Sequence, residues 1–146
     1  MLYCIKGNPI ALQRPRFNMV QRTVYDNQKN IRLVLGINLS NQHGDRPLLT
    51  GPLTLYAYFF MPMPTRMPVS QVGKPHSVKP DLDNLVKLLL DISKDIIIKD
   101  DKTVAAIHSY KMYSADPKTE FYFTQYYGPN EHCTIQPIME QNEAKI

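Results

Sequence analysis

The residues most able to do chemistry are Asp81-Leu82-Asp83-Asn84-Leu85-Val86-Lys87, followed thirteen residues after the lysine by Asp100-Asp101-Lys102. Two acidic pairs and a lysine thus bracket one helical pattern, in a chain whose Lys and Arg outnumber Asp and Glu by 17 to 13. Carboxylates gathered within a few ångströms repel one another unless a cation sits between them. Mg²⁺ prefers oxygen ligands and is commonly held by one or two carboxylates together with substrate phosphate and water. Such an ion can activate water and stabilise charge on phosphorus and on the leaving oxygen. Lys87 could contact the scissile phosphate or position the nucleophile. The chemistry these residue types suit is therefore hydrolysis of a phosphodiester.

The spacing imposes conditions. Pro80 disfavours the α region for Lys79, so the chain should approach the helix extended. Side chains two apart point the same way in an extended segment, whereas inside a helix they lie about 200° apart. Asp81 and Asp83 can therefore share an ion only if they straddle the helix start. Asp83 and Lys87 are four apart and should stack on one helical face, with Asn84 and Asp91 beside them and Leu85 and Leu89 opposite. A helix of ~13 residues spans about 20 Å. If Ile96–Ile98 runs back along it at about 3.3 Å per residue, Asp100 and Asp101 return to the helix start. A plainer reading needs no metal. Asp81 and Asp83 suit a helix cap and dipole, Asp100-Asp101 suits a turn, and Lys87 can simply pair with Asp83 or Asp91. The residues alone leave both readings open.

The elements that must carry these residues follow from the apolar pattern. Residues 1–7 read as a strand, and Arg14, Arg16 and Arg22 fall in a basic, proline-containing loop. Residues 26–42 read as a helix capped by Asp26, with Ile31, Val34, Leu35 and Leu39 as an imperfect stripe. Residues 52–60 are strand formers with both faces apolar or aromatic, which suits a central strand. Residues 61–80 form a long Pro- and Met-rich surface loop, a length that is usually functional or mobile. The clearest helix is 82–95, with Leu82, Leu85, Val86, Leu89, Leu90 and Ile96 at helical spacing. Two strands follow at 103–112 and 119–127, joined by a turn at 114–118, and residues 128–146 read as a loosely held polar tail. The order predicts one α+β domain over 1–146, a mixed β-sheet packed with helices.

Bulk properties narrow the classes. A length of 146 residues suits one domain with a real core. A pI near 9.0 is compatible with a polyanionic partner. Cys4 and Cys133 lack zinc-site spacing and are too few for a disulfide scaffold, which suits reduced thiols in a cytoplasmic protein. Residues 1–6 do not read as a signal peptide, and no apolar run is long enough to span a membrane.

The D-L-D-N-L-x-K motif at Asp81–Lys87, the internal Asp91 and the later D-D-x-x-V at Asp100–Val104 resemble the RusA family of Holliday-junction resolvases, common in prophages. Gly7-Asn8-Pro9 and Arg14-Pro15-Arg16 are similar to family members as well. The resemblance covers about residues 3–127, and its specific part is 79–104. It implies a homodimeric, Mg²⁺-dependent endonuclease, with Mn²⁺ as a substitute, that cuts four-way DNA junctions symmetrically in recombination and repair. It also implies Asp81, Asp83, Lys87 and Asp101 as the essential set, with Asp81, Asp83 and Asp101 holding the metal and Asp100 beside them. The chain departs from the family where a glycine often stands between the helix and D-D; here Lys94-Asp95 occupy that turn.

Around the motif, Arg14, Arg16, Lys74, Lys79 and His76 are candidates for phosphate contact, against solvated surface charge and an exposed loop histidine. Salt-sensitive DNA affinity is built from such cations. Tyr56, Tyr58, Tyr122, Tyr126 and Tyr127 could stack on bases but better suit sheet packing. Met61, Met63 and Met67 could form a wedge at a junction centre. Two further readings stand beside the nuclease. One is a non-catalytic module that binds branched DNA and keeps the fold. The other is a structural or interaction protein of a phage particle, without affinity for nucleic acid.

Overall fold

The computed structural model describes residues 1–129. The predicted tail beyond that point, and Cys133 with it, lies outside the described residues. Eight elements follow one another: β1 (Tyr3–Lys6), β2 (Arg16–Asn18), β3 (Thr23–Tyr25), α1 (Lys29–His43), β4 (Leu53–Pro62), α2 (Leu82–Ser93), β5 (Val104–Ser114) and β6 (Lys118–Gln125). The main sheet has the order β1-β6-β4-β5, and only β4 and β5 run parallel. This is the mixed-sheet α+β arrangement that the element order predicts. Parallel neighbours need a crossover of a dozen or more residues, usually through a helix, and α2 supplies it.

The core lies between one face of the sheet and α2. On β4 every second residue from Leu53 through Leu55, Ala57 and Phe59 to Met61 is at most 2% exposed. These side chains meet Leu85, Leu88, Leu89 and Ile92 of α2, with Phe121, Ile97 and Ile98 beside them. Met61 is therefore a core residue at the end of β4 and not a loop side chain available to a DNA junction. On the other face, Tyr56 stacks between His108 and Tyr122, and Tyr58 stacks on Tyr110. Three of the candidate base-stacking tyrosines are thus engaged in cross-strand ladders, while Tyr127 is exposed.

Four sequence expectations change. The basic loop holds a hairpin, β2–β3, with Phe17 opposite Val24. Helix α1 starts at Lys29, because the Asp26 carboxylate accepts from the Gln28 amide and pairs with Arg32 instead of capping. Its stripe is shallow, with Leu39 buried and Val34 exposed. The segment before α2 is not a free surface loop. Gly73 and His76 donate to carbonyls of Tyr113 and Lys111, and Tyr113 donates back to Lys74. These bonds cover the edge of β5, an edge that would otherwise offer unpaired backbone groups.

The fourth change concerns Ile96–Ile98. The run does not travel back along α2. The amides of Ile96, Ile97 and Ile98 all donate to the carbonyl of Ser93, and Ile98 bridges to Leu49. The run is consumed in a tight turn at the C-terminal end of the helix. Asp95 in that turn has φ +60°, the left-handed conformation that favours glycine. Aspartate tolerates this conformation better than most residues, so the turn closes without the glycine that the resemblance leads one to expect there. Asp95→Gly is expected to raise stability by roughly 0.5–1 kcal/mol by relieving that backbone cost, read as a higher urea midpoint.

Candidate functional site

Asp81 occupies the N-cap position of α2 with extended backbone, φ −71° and ψ 140°, and its carbonyl accepts the Leu85 amide at 3.2 Å. Its carboxylate makes no capping hydrogen bond. A helix-starting aspartate normally turns its side chain onto the orphan amides of the first turn. The plain capping explanation therefore does not account for Asp81. Asp83 sits in the first turn, so the pair straddles the helix start as the spacing requires. Lys87, one turn on, donates to Asp83 Oδ2 at 3.1 Å, with both side chains largely exposed. That bond, more than any other influence, holds the Asp83 carboxyl below the usual carboxylate range.

The approach to Asp81 is pinned from the sheet. Lys111 on β5 sends its ammonium to the carbonyls of Val78 and Pro80, both at 2.6 Å. Sequence reasoning passed over this residue. The signal lay in the alternation of β5, since Lys111 is in register with buried Phe59 and shares its face. A lysine at such a position must find acceptors for its head while its stem packs. From the other side, the Leu12 amide donates to the Asn84 carbonyl at 2.8 Å. The segment just before Arg14 thus touches the first turn of α2.

The second acidic pair is a compact turn of its own. Asp100 Oδ1 accepts the Lys102 amide at 3.2 Å, and Thr103 Oγ1 donates to the Asp100 carbonyl at 2.6 Å. The Lys102 amide, then the Asp101 side chain, bring the Asp100 carboxyl down to about 2. Here the plain turn reading does describe the hydrogen bonds. A depressed carboxyl stabilises the fold above its unfolded pKa of about 4. That contribution fades as pH falls toward about 2. Asp100→Asn is therefore expected to lower the melting temperature at pH 6, with the gap closing below about pH 3, as followed by circular dichroism.

Within one chain the two acidic pairs do not meet at the helix start. Lys94, immediately past α2, places its ammonium 3.9 Å from both Asp100 and Asp101. The D-D turn thus lies by the C-terminal end of the helix and D-x-D at its N-terminal end. A twelve-residue helix puts about 18 Å between its ends at a rise of 1.5 Å per residue. Among the described residues, no three His, Cys, Asp or Glu side chains gather as a metal-binding group. The described residues of one chain therefore do not complete a three-carboxylate site.

Of the candidate phosphate contacts, Arg14, Arg16, Lys74 and Lys79 are exposed. His76 is not: it is 8% exposed and its ring lies against Tyr113. Burial and the nearby Lys111 charge push its pKa down. It is a packing residue of the segment that covers β5 and is not presented to a phosphate.

Residues 6–122 match the family Endodeoxyribonuclease RusA. The chain belongs to the RusA family. It is also 31% identical over 132 residues to the uncharacterized protein YqaN of Bacillus subtilis strain 168, an alignment covering 80% of this chain and 93% of that protein. RusA proteins are endodeoxyribonucleases that act on branched DNA, and membership supports an enzyme of that class. Both acidic pairs, Lys87 and Lys111 fall inside the matched RusA region. No helix among the described residues is long and apolar enough to cross a membrane.

Proposed function

We propose that the protein is a homodimeric, divalent-metal-dependent endonuclease that resolves four-way DNA junctions in recombination and repair, with Mg²⁺ as its ion and Mn²⁺ able to replace it. The observation that carries this reading is an exposed aspartate pair at a helix start, with Asp81 uncommitted to capping, beside a lysine one turn on. Asp81 and Asp83 would hold the ion together with Asp101, flanked by Asp100. The ends of α2 are too far apart for one chain to do this. Ligands must approach Mg²⁺ to about 2.1 Å, so we assign Asp101 to a second copy of the chain. When bound, the ion supplies Lewis acidity at phosphorus and lowers the pKa of water.

The chain's own residues then have separate tasks. Lys87 holds the Asp83 carboxylate by a hydrogen bond and offers positive charge to the phosphate. Lys111 fixes the backbone that delivers Asp81. Arg14, Arg16, Lys74 and Lys79 supply phosphate contacts, whose number sets the salt dependence of binding.

Lys111→Met is expected to slow junction cleavage about tenfold to a hundredfold, the order that misplacing a reacting group costs. Junction affinity should stay unchanged, because the ammonium faces carbonyls and not solvent phosphate. Lys111→Arg should recover part of the rate, and equal losses in both variants would remove this positioning role.

The reading is tested with an end-labelled synthetic four-way junction and a duplex of the same arm sequence, each with Mg²⁺ and with EDTA. Paired nicks in the junction alone, dependent on metal, are expected. Tight junction binding without nicks in Mg²⁺ or Mn²⁺ would leave a binding module with the same fold.

A further inference from the structure

Between Arg14 and Asp26 the chain leaves the core and returns as the ribbon β2–β3. Phe17 and Val24 are paired across it and share one face, 56% and 68% exposed. At the tip Met19 and Val20 are 80% and 92% exposed. Single exposed apolar residues are ordinary, but four within eight consecutive positions form a patch. The same ribbon carries Arg14, Arg16 and Arg22, all exposed. No Asp or Glu occurs anywhere in residues 1–25.

The base of the ribbon is fixed. Buried Gln28 accepts the Gln13 amide at 2.7 Å and donates to the Ala11 carbonyl at 2.9 Å. Asn27 donates to the Gln13 side chain at 3.0 Å. Between these anchors, the Leu12 amide reaches the Asn84 carbonyl of α2. The ribbon therefore springs from beside the first turn that carries Asp83, held at its base and apolar at its exposed tip.

A basic ribbon without acids suits a polyanion. Its apolar tip suits the one place where that polyanion shows base faces, a point where stacking is interrupted. We propose that the β2–β3 hairpin is the branch-reading wedge of this enzyme. Met19 and Val20, backed by Phe17 and Val24, enter at the branch point, while Arg14, Arg16 and Arg22 hold the flanking phosphates. This rests on the junction-resolving reading above and adds the element that tells a junction from a duplex.

The test uses the full chain in EDTA, so that binding is read without cleavage. The probes are a four-way junction with 2-aminopurine at the branch point and a duplex of the same arms. Wild type should bind the junction more tightly than the duplex and raise the fluorescence. Met19→Ser/Val20→Ser should keep duplex affinity within about twofold, lose at least about tenfold on the junction, and give no rise at saturation. Arg16→Gln/Arg22→Asn should weaken both probes alike, lower the salt slope by about 0.9 per lost contact, and keep the rise at saturation. Asn suits position 22 because Arg22 has φ +49°, a conformation Asn tolerates. The substituted side chains are exposed, so both variants should fold, as circular dichroism verifies.

A tip variant that binds and opens the junction like wild type overturns the wedge and leaves the junction reading standing. A wild type that binds junction and duplex equally overturns the junction reading itself. A tip variant that sediments as a smaller species than wild type makes the patch a contact between chains, and the wedge falls.

Discussion

Asp81→Asn is expected to reduce junction cleavage by at least about a thousandfold while junction affinity stays equal or rises. The rate loss follows from the size of what the carboxylate is proposed to hold. A Lewis acid contributes several kcal/mol to a phosphoryl transition state, and each 1.36 kcal/mol is a factor of ten. The affinity follows from charge: removing an anion from a surface that faces phosphate does not weaken binding. Stability should hardly change, because the Asp81 carboxylate makes no capping hydrogen bond to lose. Asn caps a helix as well as Asp does, so Asp81→Ala is the variant whose stability separates catalysis from architecture. An aspartate serving as a cap would cost about 1 kcal/mol when replaced by a non-capping residue. Gel assays of nicking and binding, beside a urea titration, measure all three. Wild-type cleavage by the variant would remove Asp81 from the site.

The parts of this protein that bury apolar surface were legible before the structure. The strand expected at 52–60 appears as β4 (Leu53–Pro62), because a run of strand formers apolar or aromatic on both faces fits a strand covered on both sides. The helix expected at 82–95 appears as α2 (Leu82–Ser93), because its apolar residues recur at helical spacing. The hairpin was not legible. Its strands are three residues each, and its apolar residues point outward, so no burial period marks it. Ile96–Ile98 misled for a different reason: a three-residue apolar run has no period. Its path was decided by the buried Ser93 carbonyl that accepts three amides.

The site divides along the same line. Local geometry, the straddling of a helix start by Asp81 and Asp83 and the Lys87 pairing one turn on, follows from spacing. The relation between the two acidic pairs is tertiary. It depended on which way a short segment turned, and Lys94 beside Asp100 and Asp101 shows that it turned toward the far end of the helix. Lys111 was missed because a charge inside a strand reads as surface until the register sets it beside Phe59.

That distance between the pairs leads to the second large effect. If the ion is held by Asp81 and Asp83 of one chain and Asp101 of another, two inactive variants should rescue each other. Asp81→Asn and Asp101→Asn are each expected to be inactive alone, because every site in either homodimer lacks one ligand. Mixed and allowed to exchange, they form heterodimers in which one site carries both substitutions and the other carries neither. With random exchange between two-fold dimers, about one site in four is then intact. Activity should return to roughly that fraction of wild type, and its products should be single nicks in place of paired ones, since no heterodimer holds two intact sites. A site assembled within one chain gives the opposite result, because every site in every dimer keeps its own lesion and mixing restores nothing. The extent of recovery thus reads out which chain supplies Asp101, and the ratio of single to paired nicks reads out whether one dimer cuts both strands.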